Sequence, residues 1–339
     1  MAALSTRRAI GLLLLLCVVF IWVGSSFLVS NLFGEQQFNR PFFITYLNTG
    51  TFSLYLVGAY ISHMRKRRSQ RLTQRKRSRS DDSLNGSDHE IDASIATIPP
   101  QLTVRETMML GVSFCILWFA ANITQNASLA YTSVANSSIL CSTSGLFTLA
   151  IGAAAGVEKF NSTRLGAVLV SVLGVYSIMR YGASTATTAA MPLSWFGDFL
   201  ALLSAMLYGC YTTLLKRKIG DESRLDTPLF FGTVGLANIV LLWPGFIILH
   251  LTGVETFQLP ASGSIWLMIL VNALIGTFLS DYLWLLAVLM TSPLVVTLGL
   301  SLTIPLSMAG DIVFKGLSVG LPYYIGALLI LAAFIAANL

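Results

Sequence analysis

Ten apolar segments divide this chain, and each is about as long as a helix that crosses a membrane. A spanning helix needs about 20 mostly apolar residues, and these segments carry few charged side chains. A protein core cannot absorb this much apolar surface and still leave an exterior that water wets. The sequence therefore predicts an all-α, polytopic membrane protein of ten transmembrane helices. The predicted spans are 9–31, 42–62, 105–125, 133–155, 164–181, 195–215, 228–251, 265–289, 293–314 and 321–338.

The composition excludes several other classes of protein. Charged residues make up 11% of the chain, against about 25% in typical soluble proteins. Nine of the 21 Lys and Arg residues lie in 65–79, so the net charge of +6 does not indicate a nucleic-acid partner. The three histidines and four cysteines lack metal-ligand spacing, so no metal and no cofactor is predicted, and the cysteines are interpreted as packing residues. A soluble enzyme and a disulfide-rich secreted domain are also excluded.

The Lys and Arg residues outside the spans predict the orientation in the membrane. With the N-terminus in the cytosol, 18 of them lie on the cytosolic side and three, Arg40, Arg180 and Lys315, lie on the other side. Positively charged residues accumulate on the cytosolic side of membrane proteins. The N-terminus is therefore predicted to be cytosolic, and an even number of spans places the C-terminus there too.

One long hydrophilic loop, at 63–103, interrupts the spans. A basic block at 65–79 precedes an acidic, Ser-rich stretch at 81–92. This composition cannot bury enough apolar surface to fold alone, so we predict a disordered cytosolic loop. Three roles stay open: attraction of the basic block to anionic lipid of the cytosolic leaflet, regulation by phosphorylation, or a topology anchor without a further role.

A weak internal repeat relates the two halves of the chain. Shifts of 159 and 160 positions match Thr132 with Thr291, Asn122 with Asp281, and Gly166 with Gly326. The first repeat then combines spans 1–2 (1–62) with spans 3–5 (104–181), and the second contains spans 6–10 (182–339). Because each repeat has five spans, the second copy is inverted in the membrane. Inverted repeats are typical of secondary transporters, whose solute site lies near the membrane midplane between the repeats.

Asp281 is the clearest polar residue inside a predicted span. A charge at that depth costs on the order of 3 kcal/mol on insertion scales, so the residue needs a reason to be there. Thr277, Asp281 and Trp284 share one helix face at helical spacing, which would suit a cavity wall. Two interpretations stay open: a carboxylate that contacts the solute or couples a proton, or a hydrogen-bonded packing residue.

Other polar residues in the spans complete a candidate solute site. The third span carries amides at spacings of three and four residues, which places them on one stripe, and the fourth span is too polar to face lipid. Hydrogen bonding between helices is the alternative interpretation. Aromatic contacts from Trp22, Tyr208 and Tyr211 are a weaker expectation. The predicted site residues are Asn122, Gln125, Asn126, Ser138, Ser142, Asp281 and Thr297.

Two sequence runs resemble a known family. The run at 126–148 and the segment at 38–46 resemble the drug/metabolite transporter superfamily, and are most similar to the F subgroup of solute carrier family 35 with its fungal vacuolar-membrane members. The resemblance implies a ten-helix fold of the EamA type and a multi-pass carrier of an endomembrane, vacuolar or lysosome-like. No counterpart is present of the Gly-Ala-Leu-Asn-Lys motif that marks nucleotide-sugar carriers, so nucleotide-sugar transport is not implied.

Taken together, the residues and the resemblance predict a secondary active transporter that moves a small organic solute by alternating access. A membrane receptor or scaffold that transports nothing is the alternative. An intramembrane hydrolase is a weaker one, because Asp281 has no second Asp at comparable depth. The expected partners are the solute and membrane lipid, and the sequence leaves open whether the protein forms a homodimer.

Overall fold

The computed structural model describes residues 2–34, 38, 40–61, 64, 101–128, 131–132, 134–181, 194–315 and 320–338. The predicted loop at 63–103 therefore lies almost wholly outside the described residues. All regular structure within the described part is helical. Seven helices are long and apolar enough to cross a membrane, and a bent pair adds an eighth. Helical residues lie in each of the ten predicted segments, including the shorter stretches at 41–61 and 321–338.

The helices are numbered in chain order: α1 Ala2–Gly34, α2 Pro41–Gly50, α3 Val104–Ser128, α4 Val134–Ser142, α5 Ser144–Ala154, α6 Ser162–Tyr181, α7 Ser194–Ile219, α8 Thr227–Leu242, α9 Pro244–Leu251, α10 Gly263–Val271, α11 Ser280–Met290, α12 Pro293–Leu300, α13 Thr303–Lys315 and α14 Leu321–Asn338. A 3-10 turn, Thr51–Leu54, follows α2, and a π-helical segment, Asn272–Leu279, joins α10 to α11.

The outer surface of the helix bundle is apolar. Leu13 and Phe20 on α1 are each 63% exposed, and Leu173 on α6 is 60% exposed. Soluble proteins rarely leave such large apolar surfaces in water. These side chains face outward because lipid, rather than water, is their solvent.

Two of the predicted spans are broken at their centres rather than continuous. The fourth divides into α4 and α5 at Thr143, and the ninth divides into α12 and α13 at Ser301 and Leu302. Hydroxyl groups near each break bond back to the backbone: Thr143 Oγ1 donates to the Leu140 carbonyl (2.5 Å) and Thr303 Oγ1 to the Leu300 carbonyl (2.7 Å). Ser and Thr hydroxyls that compete for backbone groups in this way bend helices.

Proline accounts for two further features. The seventh span bends by 41° between α8 and α9, where Pro244 lacks the N–H that a continuous helix needs. The sequence also predicts a tight turn before Pro293, and α11 indeed ends at Met290 while α12 begins at Pro293. Ser292 Oγ accepts from the Val295 N–H (3.4 Å), which caps the new helix.

Helices α6 and α14 cross at a pair of glycines. A Cβ atom on Gly174 would lie 2.8 Å from the Gly326 carbonyl oxygen, and one on Gly326 would lie 2.6 Å from the Gly174 carbonyl oxygen. Only glycine permits this approach of two backbones. The sequence alignment of the repeats matches Gly326 with Gly166, but the contact of Gly326 is with Gly174, and a Cβ on Gly166 would meet nothing within 4 Å.

Two other glycine contacts resemble each other. A Cβ on Gly197 at the start of α7 would lie 2.7 Å from the Thr132 backbone N. One on Gly11 in α1 would lie 2.7 Å from Thr291 Cγ2. Thr132 and Thr291 are the residues that the predicted sequence repeat aligns, so a glycine lies against each member of this aligned pair.

Gly174→Val is expected to lower the midpoint of thermal unfolding in detergent by about 5 °C or more, since the added methyl groups force α6 and α14 apart. Gly166→Val is the matched control on the same helix, and should leave the midpoint within about 1 °C because its Cβ has open space. Equal midpoints for the two variants would contradict the crossing.

Candidate functional site

A cavity of about 530 Å³ lies at the centre of the bundle. Segments from both sequence halves enclose it, namely α1, α3, α4, α5, α7, the π-helical segment, α11, α12 and α13. Six of the seven predicted site residues line this cavity, and the side chain of Asn126 lies outside the described residues. The six are Asn122, Gln125, Ser138, Ser142, Asp281 and Thr297.

Hydrogen bonds fix the polar wall formed by α3 and α4. Gln125 Nε2 donates to Ser137 Oγ (3.1 Å), and the Cys141 thiol donates to Gln125 Oε1. Asn122 Nδ2 donates to the Trp118 carbonyl one turn earlier (2.8 Å). Both ends of the Gln125 amide are therefore engaged within the wall, whereas the Asn122 oxygen accepts no hydrogen bond from a described residue.

Asp281 forms the acidic part of the cavity. The residue is 9% exposed, and no described side chain or backbone N–H donates a hydrogen bond to its carboxylate. The described residues that line the cavity include no Lys, Arg or His. The π-helical segment directly before Asp281 sets its position, and such segments occur frequently at functional sites.

Aromatic rings form the remaining wall. Tyr208 and Tyr211 meet edge to face with ring centroids 5.1 Å apart, and Tyr211 and Trp284 do so at 6.0 Å. Trp22 Nε1 donates to Ser280 Oγ (3.0 Å), one residue before Asp281. Tyr208 Oη and Trp284 Nε1 are buried at this wall close to each other, and Thr297 also approaches Tyr208 Oη, but neither group forms a hydrogen bond of good geometry. A bound solute could supply a better partner.

Sequence reasoning missed some of the lining. Cys141 was interpreted as a packing residue, but it lines the cavity and bonds Gln125. Its position one turn after Ser137 and Ser138 was the available signal. Trp118 also lines the cavity, and lies four residues before Asn122 on the same helix face. Trp22, Tyr208 and Tyr211, the weaker aromatic expectations, all lie at the cavity.

A buried carboxylate bonds to the start of a helix at each end of the bundle. At one end Glu158 Oε1 accepts from the Leu294 N–H (3.0 Å) at the start of α12, and its Oε2 pairs with Arg164 (2.5 Å). At the other end Glu255 accepts from the Phe42 and Phe43 N–H groups (2.8 and 2.9 Å) at the start of α2. Each carboxylate joins the two sequence halves, because acid and acceptor helix come from different halves.

The end that contains Glu158 is also the basic end. Arg7 pairs with Asp221 (2.8 Å) and with Glu222. The Ser223 backbone N–H and hydroxyl, together with Arg7, hold the pKa of Asp221 below its usual range, so this carboxylate stays charged at neutral pH. The Lys216 ammonium donates to the Leu289 carbonyl at the same end.

Within the described residues, no three His, Cys, Asp or Glu side chains gather closely enough to hold a metal ion. The fold and the cavity define a class: a polytopic helical membrane protein with a central, solute-sized polar and aromatic cavity. No family model matches the sequence.

Relatives that match this chain over almost its whole length identify its family. The chain is 45% identical over 335 residues to an uncharacterised transporter of Schizosaccharomyces pombe, covering 98% of this chain and 96% of that protein. It is 40% identical over 358 residues to an uncharacterised vacuolar membrane protein of Saccharomyces cerevisiae, covering 98% and 91%. It is 32% identical over 411 residues to solute carrier family 35 member F5 of Bos taurus, covering 98% and 77%.

The chain therefore belongs to the F-type solute carrier family 35 group of drug/metabolite transporters, which confirms the resemblance seen at 38–46 and 126–148. A solved crystal structure superposes with a TM-score of 0.68 at 16% identity, covering 98% of this chain and 96% of the other. At that identity the likeness concerns the fold alone.

Glu158→Ala is expected to lower the midpoint of thermal unfolding in detergent by about 5 °C, since the buried Leu294 N–H and Arg164 both lose their acceptor. Glu158→Gln keeps an acceptor for Leu294 and should fall between Ala and wild type. Glu106→Ala, at an exposed carboxylate that bonds only Thr103 at the start of its own helix, is the control. If Glu158→Ala unfolds at the same temperature as Glu106→Ala, Glu158 does not join the two halves.

Proposed function

We propose that this protein is a secondary active transporter that moves a small organic solute across an endomembrane by alternating access. The central cavity carries the proposal: it has a volume of about 530 Å³, segments of both halves enclose it, and polar and aromatic groups line it. Cavities of about 300–1,000 Å³ suit small organic molecules. The relative from Schizosaccharomyces pombe is itself named a transporter.

The pattern of helix packing supports ten spans arranged as two inverted repeats of five. In that arrangement, the contact between spans three and six should have an equivalent between spans eight and one. Both contacts are present: α3 packs on α7, and α11 packs on α1. The contact between spans three and seven likewise has its equivalent between spans eight and two, and both are present. Span five packs on span ten, its own equivalent, as α6 on α14.

Local features support the same repeat. Gly197 lies against Thr132, and Gly11 lies against Thr291, the residue that the repeat aligns with Thr132. The breaks in the fourth and ninth spans also fall at positions that the same sequence shift aligns. The proposed repeats are spans 1–2 with spans 3–5, and spans 6–10, as the sequence predicts. Rocking one repeat against the other would open the cavity to each side in turn.

The solute-binding residues that we propose come from both repeats. The first repeat supplies the amides and hydroxyls, and the second supplies Asp281 and Thr297. Asp281 either carries the coupling proton or faces a positive group on the solute. The proposed residues are Asn122, Gln125, Asn126, Ser138, Ser142, Asp281 and Thr297.

We place both termini in the cytosol, since the basic end of the bundle contains Arg7, Arg164 and Lys216. The vacuolar membrane is the proposed location, because the Saccharomyces cerevisiae relative is named a vacuolar membrane protein. Attraction of the basic block at 65–79 to anionic lipid stays a prediction.

Transport can be tested in proteoliposomes without knowing the solute. Liposomes with and without the purified protein are incubated in a metabolite extract, and mass spectrometry quantifies each compound that enters. A transporter gives uptake of specific compounds that saturates and exchanges with internal solute. If no compound accumulates above protein-free liposomes, the alternative of a receptor or scaffold is favoured.

Asp281→Asn is expected to reduce that uptake about tenfold or more, or to remove its pH dependence, while protein level and thermal stability stay normal. The substitution keeps the shape of the side chain and removes its charge. Asp198→Asn, in α7 and outside the cavity lining, is the matched control; its Oδ1 can still accept from Thr132 Oγ1 (2.7 Å). Wild-type uptake with unchanged pH dependence in Asp281→Asn would leave Asp281 with only a packing role.

A further inference from the structure

The charge balance of the central cavity is the first observation that limits its ligand. Asp281 is the acidic member of the lining, and the described lining residues include no basic side chain. Arg7 and Arg164 are paired with acids at the basic end of the bundle, and Lys216 donates to the Leu289 carbonyl. The described lining residues therefore supply no positive charge for the Asp281 carboxylate, which leaves a proton or a cationic ligand to compensate it.

The aromatic lining is the second observation. Six aromatic rings line the described cavity together with Asp281: Trp22, Phe114, Trp118, Tyr208, Tyr211 and Trp284. The faces of such rings attract cations most strongly where water is excluded. They also stack on planar aromatic ligands, in offset or edge-to-face arrangements.

Poorly bonded donors and acceptors are the third observation. The Tyr208 hydroxyl and the Trp284 indole N–H lie close to each other without a hydrogen bond of good geometry, and the Asn122 oxygen accepts no hydrogen bond from a described residue. The same wall can therefore orient a polar substituent on a ring. An anionic solute would meet the Asp281 carboxylate with no cation to offset it. An aliphatic polyol would leave the aromatic faces without a stacking partner.

We infer that the solute is an organic cation built on a planar aromatic or heteroaromatic ring, with its positive charge held at Asp281 and its ring between the cavity aromatics. The inference rests on the proposed function only in taking this cavity as the solute site. It names a substrate class defined by charge and ring together, so it excludes neutral rings and aliphatic cations as good ligands.

Binding of matched ring pairs tests the inference. The probes are pyridine, quinoline and acridine, which are neutral at pH 7.5, and their permanently charged N-methyl derivatives, with tetramethylammonium as a cation without a ring. Binding to the purified full-length protein in detergent is measured by titration calorimetry. At least one N-methyl cation is expected to bind roughly tenfold or more tightly than its neutral parent and than tetramethylammonium.

Variants assign that preference to the cavity. Asp281→Asn should remove the advantage of the cation and leave the affinity for the neutral ring within about twofold. Trp284→Leu should weaken both members of a ring pair, by roughly fivefold or more. Asp198→Asn, the same change outside the cavity lining, should bind every probe like wild type, and thermal unfolding checks that each variant is folded.

The inference is overturned if no cation binds better than its neutral parent, if tetramethylammonium binds as well as the ring cations, or if Asp281→Asn keeps the charge preference. The binding measurement does not require transport. Selective binding without proteoliposome uptake would therefore reject the transport function and retain the ligand class. Uptake of a neutral or anionic solute would reject the ligand class and retain the transport function.

Discussion

Hydrocarbon offers polar groups no hydrogen bonds, and this constraint determines where the polar side chains of the described bundle lie. Asn122, Gln125 and Asp281 could be accommodated only by facing inward or by pairing with a neighbouring helix. The helices do both. Gln125 is engaged by Ser137 and Cys141, while Asp281 faces a cavity and receives no hydrogen bond from a described residue. The difference matters, because the hydrogen-bonded Gln125 amide is held in the cavity wall, whereas the Asp281 carboxylate remains available to bind a ligand.

Several helices that line the cavity are interrupted. The fourth and ninth spans break at Thr143 and at Ser301 and Leu302, near hydroxyl groups that bond back to the backbone, and a π-helical segment precedes Asp281. Close glycine contacts, such as Gly174 on Gly326, hold the helices tightly elsewhere. The cavity therefore lies where regular helix is interrupted, and the tight glycine crossing lies outside its lining.

The carboxylates at the two ends bear on the proposed alternating access. Glu158 links one half to the start of α12, and Glu255 links the other half to the start of α2. Both helices begin with proline, so their first N–H groups lack partners within the helix. Release of either carboxylate would leave these N–H groups to find another partner, and such an exchange fits the proposed alternating access.

Much of this account could be predicted from the sequence, and its failures have physical reasons. The length and apolarity of the segments located the helices, because lipid imposes both. Helical spacing predicted that Asn122 and Gln125 lie on one face, and a charged residue inside a span identified Asp281 as a candidate. Their role in binding a solute stays a prediction. The pairing of Gly174 with Gly326 was missed, since small residues are common in membrane helices and several registers score alike. Glu158 and Glu255 were missed because capping depends on tertiary neighbours that spacing does not reveal.

The central claim is that one cavity opens alternately to both sides of the membrane. The native Cys141 thiol lies in that cavity, so a chain in which Cys17, Cys115 and Cys210 are replaced by alanine reports on its access. Proteoliposomes of this variant are treated with a membrane-impermeant thiol reagent from outside or from inside, and labelling of Cys141 is quantified by mass spectrometry. The account predicts labelling from either side. Labelling from one side only, whatever solute is present, would contradict alternating access.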